Sequence, residues 1–420
     1  MPSMKDYSAS LLYLSSMKFL TFIFTTFFAC SNAFSQINIS TYVKLDTIIS
    51  SGINIDYKDI YPNDVKMKIY KDNLWLFYPN WADDDSIHFV KINLKNLKRE
   101  NINLYFPSAS FKTPNPNISN FDLNDSALAI MFTNNSFAYF RSKKSNFVFS
   151  FIEPLSHSYN QIFVLNKNNV LINNLYNSHP YDNPDPVILR LYDCKNKKLI
   201  KTLKPNFTSI QFSHFAPNNW LDVNDKKIVF FQTISYDGTM FDFDLNRTGS
   251  LNFKENSWAF ADTTYIKGLS VVKPRVNAKN LIEILSPMED SVSRVEAIYW
   301  IGKDKLLVRK IPANNKIKER QRFYDILFLD KTNNWIKIQE NITDIKINDN
   351  EVCTKTNFPI KSVEYKNDFT DKYFIKLSTR FYNYEFGKTY AELKKKEEGA
   401  LGKKEPELFI EIFKCNFDAK

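Results

Sequence analysis

From residue 40 onward, apolar and polar positions alternate with period two, and runs of β-branched and aromatic residues dominate. Helical periodicity is convincing only near Thr389–Glu398. A unit recurs: an apolar strand, a polar loop, a second strand ending in a short polar turn, then a Lys-rich strand. Ile87–Asn93, the turn Leu94-Lys95-Asn96 and Leu97–Leu104 form one copy. Val187–Tyr192 with Lys198–Leu203 is another, and Phe323–Leu329 with Trp335–Gln339 a third. Looser copies are Ser136–Phe140 with Asn146–Ile152, Ile228–Ile234 with Met240–Leu245, and Tyr373–Leu377 with Leu408–Phe413. Ser235-Tyr236-Asp237-Gly238-Thr239 reads as the hairpin turn of the Ile228 unit, because Asp-Gly between two strands is a strong turn signal. Elsewhere glycine is scarce, 8 in 420 residues. Asn and Asp, which tolerate the left-handed region, take over the turns.

The clearest copies are separated by multiples of about 45–50 residues, the spacing of a repeat of three or four strands. The chain therefore predicts an all-β fold, a β-propeller of six blades. Their bounds are 62–105, 118–153, 160–205, 219–254, 295–342 and 368–418. An N-terminal strand at 41–49 completes the last blade and closes the ring. Residues 255–294 fit no blade cleanly and read as an insertion or a degenerate seventh blade. A second insertion falls near 385–407. Residues 36–420 then form a single domain; a β-sandwich or a two-domain all-β chain is the competing architecture.

With its Asn/Asp-x-Lys turns near 93–98, 193–198 and 330–337 and its N-terminal signal, the chain resembles uncharacterised secreted bacterial six-bladed β-propellers. The resemblance spans most of the mature chain and implies the fold. It carries no catalytic residues with it. WD40 pairs and the kelch double glycine are missing.

The signal lies in 1–35. Met17-Lys18 opens a positive n-region, and Phe19–Ala29 is an apolar stretch of about eleven residues, too short to span a bilayer. Ala33 and Ser35 place small residues for cleavage before Gln36. Residues 1–16 read as an extended n-region or an over-long start. Cys30, preceded by Ala29, offers a rival lipoprotein reading, though Phe27 departs from the usual Leu. No later apolar run reaches transmembrane length. The expected location is extracytoplasmic: periplasm, cell surface or medium.

Apolar content of 44% and aromatic content of 15% suffice for a core without disulfides. Cys194, Cys353 and Cys415 remain after cleavage, an odd number in no C-x-x-C pair, so neither a zinc site nor a redox motif is suggested. The net charge of +10 suits anionic lipid or acidic polysaccharide, while export counts against nucleic acid. It equally fits a general Lys and Asn bias of the sequence.

In a propeller, loops between second and third strands share a rim with the inter-blade loops, and ligands commonly bind there. On the blade map that rim carries Trp81, Asp83, Asp85, Tyr181, Asn219, Trp220, Tyr236 and Asp237 as candidate ligand-binding residues. The aromatics suit stacking on sugar rings or on a partner's side chains, and the carboxylates and carboxamides suit hydrogen bonding. His179, His214 and Asp182 are candidates for acid–base work. Two packing or surface histidines explain the same residues. Asp83-Asp84-Asp85 lacks EF-hand spacing and reads as a solvated turn, so no metal is expected. Ser235–Thr239 departs from the sialidase Asp box by a missing residue and a missing Trp. Lys394-Lys395-Lys396 with Glu397-Glu398 reads as a solvated face. Hydrolase-elbow, P-loop and dinucleotide motifs do not occur, and no cofactor is expected. The favoured function is an exported, non-catalytic binding or scaffold propeller for a glycan or cell-surface protein. The alternative is a hydrolase or lyase acting on polysaccharide.

Overall fold

The computed structural model describes residues 37–54, 65–83, 86–107, 118–144, 146–155, 161–174, 188–203, 221–231, 236–253, 293–313, 322–343, 360–382 and 407–418. These form six four-stranded antiparallel sheets. After β1 (Val43–Asn54), blade 1 is β2 (Lys66–Tyr70), β3 (Asn73–Asp83), β4 (Ser86–Asn93) and β5 (Arg99–Tyr105). Blade 2 is β6 (Ile118–Leu123), β7 (Ala127–Phe132), β8 (Ser136–Lys143) and β9 (Asn146–Pro154). Blade 3 is β10 (Gln161–Val164), β11 (Asn169–Asn174), β12 (Ile188–Asp193) and β13 (Lys198–Leu203). Blade 4 is β14 (Leu221–Val223), β15 (Ile228–Phe231), β16 (Asp237–Phe241) and β17 (Arg247–Asn252). Blade 5 is β18 (Arg294–Trp300), β19 (Lys305–Ile311), β20 (Phe323–Leu329) and β21 (Trp335–Thr343). Blade 6 is β22 (Ile360–Phe369), β23 (Tyr373–Tyr382) and β24 (Glu407–Cys415), completed on its outer edge by β1.

Burial explains the sequence pattern. The second strand of a blade is covered on both faces, so β7 is Ala-Leu-Ala-Ile-Met-Phe, buried throughout. Outer strands face solvent and alternate, as in β21 with Lys337 between exposed Ile336 and Ile338. Six apolar clusters each join two neighbouring blades. One unites Leu74 and Leu76 of blade 1 with Ile375 and Ile412 of blade 6, so the ring is closed. β1 closes it a second time, pairing antiparallel with β24 from Val43↔Cys415 to Asn54↔Glu407. Closure turns the inner sheet edges, β2, β6, β10, β14, β18 and β22, toward the channel and so protects them from pairing with another chain.

Blades 4 and 5 pack directly on one another, Phe231 and Tyr236 against Ile298 and Val308. No seventh blade therefore sits between them. Residues 255–292 and the helical pattern at 389–398 lie outside the described residues.

The Asp-Gly hairpin expectation is corrected. Asp237, Gly238 and Thr239 lie inside β16, where Gly238 pairs with Phe231 on one side and Leu251 on the other. A Cβ on Gly238 would meet the Phe231 ring at 2.9 Å and Leu251 Cδ1 at 3.0 Å. Gly238 is thus required by close packing rather than by a turn.

The third-to-fourth-strand turns confirm the role of Asn and Asp. Asn93, Asp193, Asp242 and Asp330 each use Oδ1 to accept two backbone N–H groups of the following turn, as Asp193 does from Lys195 and Asn196. The left-handed residue that follows is not glycine but Leu97, Lys197, Leu245 or Asn333. The side-chain acceptor organises the turn where glycine is scarce.

Candidate functional site

The first strands of all six blades line the central channel. The position just before each apolar turn-entry residue carries Lys68, Asp122, Val164, Asp222, Trp300 and Asp368 in blades 1 to 6. Aspartate therefore alternates around the ring. Each carboxylate reaches the next blade: Asp122 Oδ2 accepts Val164 N–H at 2.7 Å, Asp222 Oδ2 accepts Trp300 N–H at 2.7 Å, and Asp368 Oδ2 accepts Ile69 N–H at 3.0 Å. Three blade junctions are laced in the same way. The neighbouring Asn or Thr builds the first turn, as Asn124 Oδ1 does by accepting Ser126 and Ala127 N–H and Asn224 Oδ1 by accepting Lys226 and Lys227 N–H.

Lys68 lies within this ring. Its ammonium stands 3.1 Å from Asp122 Oδ1 and 5.8 Å from the Phe163 ring centroid. Burial alone would lower its pKa; the carboxylates of Asp122, Asp368 and Asp222 outweigh that and raise it. Asp222 behaves oppositely. Burial pushes its carboxyl up to about 6, partly countered by Lys68 and the Trp300 N–H. One ammonium among three carboxylates leaves the ring with an excess of negative charge. Above it opens a cavity of about 760 Å³, its mouth edged by Lys71, Asp72, Lys226, Lys227, Asp304 and Lys372. Lys227 pairs with Asp304 at 3.3 Å, and Asp72 with Lys95 at 2.7 Å, so the mouth is nearly balanced. Among the described residues no group of His, Cys, Asp and Glu is arranged to hold a metal ion. The arrangement holds the first strands together and gives one carboxyl, Asp222, that titrates near neutral pH.

Most residues singled out from the sequence cannot be set against this site. His179, Tyr181, Asp182, His214, Asn219, Trp220 and Asp85 lie outside the described residues. Trp81 and Asp83 belong to β3. After a break in register past Phe77, the β3–β4 ladder resumes with Ala82↔Ile87 and Asp83↔Ser86, while β4 stays paired with β5 through Ile87↔Leu104 and Ser86↔Tyr105, so residues 78–81 form a bulge in β3 within the sheet. Asp237 opens β16 and is half-buried. Tyr236 is 2% exposed, and its hydroxyl donates to Asp325 Oδ2 at 2.6 Å. Its ring is packed against Phe231 and Phe253 rather than presented for stacking. The reason is its place at the interface of blades 4 and 5, where an aromatic body fills the core and the hydroxyl finds a partner.

The aspartate ring was missed from the sequence. Its signal is a short repeat: Asp122-Leu123-Asn124-Asp125, Asp222-Val223-Asn224-Asp225 and Asp368-Phe369-Thr370-Asp371.

Neither a protein-family model nor a curated protein sequence matches the chain. Among solved structures, it is similar to a protein of Bacteroides fragilis described as exported, at 10% identity and a TM-score of 0.48, over 91% of this chain and 98% of that one. It is also similar to a member of the DUF4221 family from Bacteroides vulgatus, at 9% identity and a TM-score of 0.47, over 89% and 99% of the two chains.

Proposed function

We propose that the chain is an exported, non-catalytic binding propeller whose ligand surface is the rim carrying the second-to-third-strand loops. The observation that carries this reading is the register break in the β3–β4 ladder, where residues 78–81 of β3 stand opposite His88 alone, so that Trp81 lies in a bulge at the rim end of blade 1 with Asp83 just beyond it. The adjoining blade 6 extends at the same rim, where β22–β23 pairing runs out to Ile360↔Tyr382 and β1–β24 pairing to Asn54↔Glu407. The described interior charges support the non-catalytic part. Asp122, Asp222, Asp368 and Asp325 each accept backbone or side-chain donors that join strands or blades. A glycan or a cell-surface protein suits a bulge carrying Trp and Asp, because indole stacks on apolar ring faces while carboxylates bind hydroxyls.

The Met17–Ser35 pattern supports export, which places this surface outside the cytoplasm. A glycan array probed with the mature protein and with Trp81→Ala tests the binding reading. Binding that weakens at least about tenfold in the variant supports it. Equal binding by the variant removes the β3 bulge from the site, and no glycan binding leaves a protein partner. Intact mass of exported material tests the leader: a chain beginning at Gln36 supports cleavage there, one beginning at a lipid-bearing Cys30 supports anchoring, and an uncleaved chain overturns both.

A further inference from the structure

At the end opposite that bulge, the turns of blades 2 and 3 flank a groove. Two adjoining hollows of about 720 Å³ and about 550 Å³ share Ser126, Lys167, Asn168 and Lys195. Arg141 and Ser142 line the second hollow. The carboxylates nearby are already engaged. Asp125 pairs with Lys71 at 2.6 Å. Asp193 accepts Lys195 and Asn196 N–H on Oδ1 and the Asn196 carboxamide on Oδ2 at 2.6 Å. The cations are not so engaged. Among the described residues, the ammonium groups of Lys167 and Lys195 form no ion pair, and Arg141 makes one long bond, 3.5 Å, to the Cys194 carbonyl. Lys143, Lys144 and Lys197 stand exposed on the adjoining turns and add to the positive potential.

The groove is built on a fixed backbone. Asn166 Oδ1 accepts Asn168 and Asn169 N–H, which sets the turn that carries Lys167. The Tyr139 hydroxyl donates to the Lys167 carbonyl at 2.6 Å, and Cys194 N–H donates to the Asn168 carbonyl at 2.6 Å. Ser142 N–H donates to the Ser126 carbonyl at 2.9 Å. Only side chains need ordering when a ligand arrives, which lowers the cost of binding.

The neutral groups narrow the ligand. Among the described residues, no hydrogen bond engages the Asn168 carboxamide or the Ser142 hydroxyl. Each of these both donates and accepts, so each can answer a ligand hydroxyl in either sense. A bare inorganic anion only accepts, and it would use the cations alone. We propose that the groove between blades 2 and 3 binds an acidic saccharide, with Lys167, Lys195 and Arg141 taking its anionic groups and Asn168 and Ser142 its hydroxyls. The proposal stands apart from the reading of the opposite rim.

Calorimetric titration of the mature protein with uronate and sulfated oligosaccharides tests it, with methyl-esterified tetragalacturonate as the uncharged control. Tetragalacturonate or a sulfated oligosaccharide should bind, and affinity should fall steeply with salt. The ester should bind at least about tenfold more weakly than the free acid. Lys167→Gln with Lys195→Gln should lose at least about tenfold while thermal unfolding stays unchanged, because both side chains are exposed and unpaired. Trp81→Ala should bind like wild type, which separates this site from the β3 bulge. Equal binding of acid and ester, unchanged affinity in the double variant, no binding of any acidic saccharide, or binding confined to inorganic sulfate or to anionic phospholipid vesicles would each overturn it.

Discussion

The Asp368 carboxylate accepts the backbone N–H of Ile69 at 3.0 Å, across 299 positions of sequence. It joins the first strand of the last blade to the first strand of the first, at the hub. Asp368→Ala leaves that N–H without its charged acceptor and should destabilise the protein by about 2 kcal/mol. Asp368→Asn keeps a carbonyl acceptor and should recover part of the loss. Urea unfolding measures both. A loss below about 0.5 kcal/mol in the alanine variant would mean that the blade 1–blade 6 apolar cluster and β1–β24 pairing carry ring closure without this bond.

Much of the ring was legible in the sequence, because its local units are self-contained. Asn93, Asp193 and Asp330 announce their turns by residue type, and the buried second strands announce themselves as unbroken apolar runs. Closure by the N-terminal strand followed from a strand without partners at one end and a short blade at the other. The hub was not legible. Asp122, Asp222 and Asp368 sit on channel-lining strands where polarity resembles a strand end, and their partners belong to the next blade. Tyr236 failed for the converse reason. Neighbouring Asp-Gly suggested a turn, whereas the packing of Phe231 against Gly238 decides the conformation.

Asp222 should give stability a pH dependence that one substitution removes. Its carboxyl titrates near 6 in the folded protein, above its ordinary value of 3.8. Between those values the folded protein holds a proton that the unfolded chain has released. The contribution is therefore present below about pH 4 and declines as pH rises through about 6. Asp222→Asn should flatten that decline and raise stability at pH 7 by about 1 kcal/mol, less than the full shift implies because the cavity admits water. Lys68 keeps Asp122 and Asp368 as counter-charges in the variant. Unfolding midpoints at pH 4 to 7 provide the measurement, and an unchanged slope would place the titration on another group.

Two turn residues with the same backbone conformation should respond to glycine with opposite sign. Lys144 has φ of 50° and an exposed side chain. Leu245 has φ of 58° and is 2% exposed. A left-handed conformation costs an L-residue about 1–2 kcal/mol, against about 0.5–1 kcal/mol of extra chain entropy for glycine. Lys144→Gly should therefore stabilise by about 0.5 kcal/mol. Leu245→Gly also removes a side chain packed with Leu171, Phe230 and Phe241, and should destabilise by about 2–3 kcal/mol. Loss of stability in Lys144→Gly would show that the lysine makes contacts worth more than the backbone relief.

Asp325 is fully buried in blade 5 and gathers four donors. Lys310 Nζ lies 2.8 Å from Oδ2 and Lys337 Nζ 3.5 Å; the Tyr236 hydroxyl donates to the same oxygen at 2.6 Å, and Asn341 N–H donates to Oδ1 at 2.8 Å. Both ammonium groups also face the Tyr236 ring, at 5.4 and 5.0 Å from its centroid. Asp325→Ala would leave Lys310, itself 3% exposed, as a buried charge without this carboxylate. The expected loss is about 3–5 kcal/mol. Tyr236→Phe removes one bond to a charged acceptor while keeping the ring, and should cost about 1.5–3 kcal/mol. Combining Asp325→Leu with Lys310→Met removes both charges and keeps apolar volume at the junction of blades 4 and 5. That double variant should be clearly more stable than Asp325→Ala, because desolvating a charge pair offsets most of what the pair contributes. Guanidinium unfolding of wild type and the three variants ranks their stabilities. If the double variant is no more stable than Asp325→Ala, the carboxylate acts mainly through Tyr236 and Asn341 rather than through the lysine.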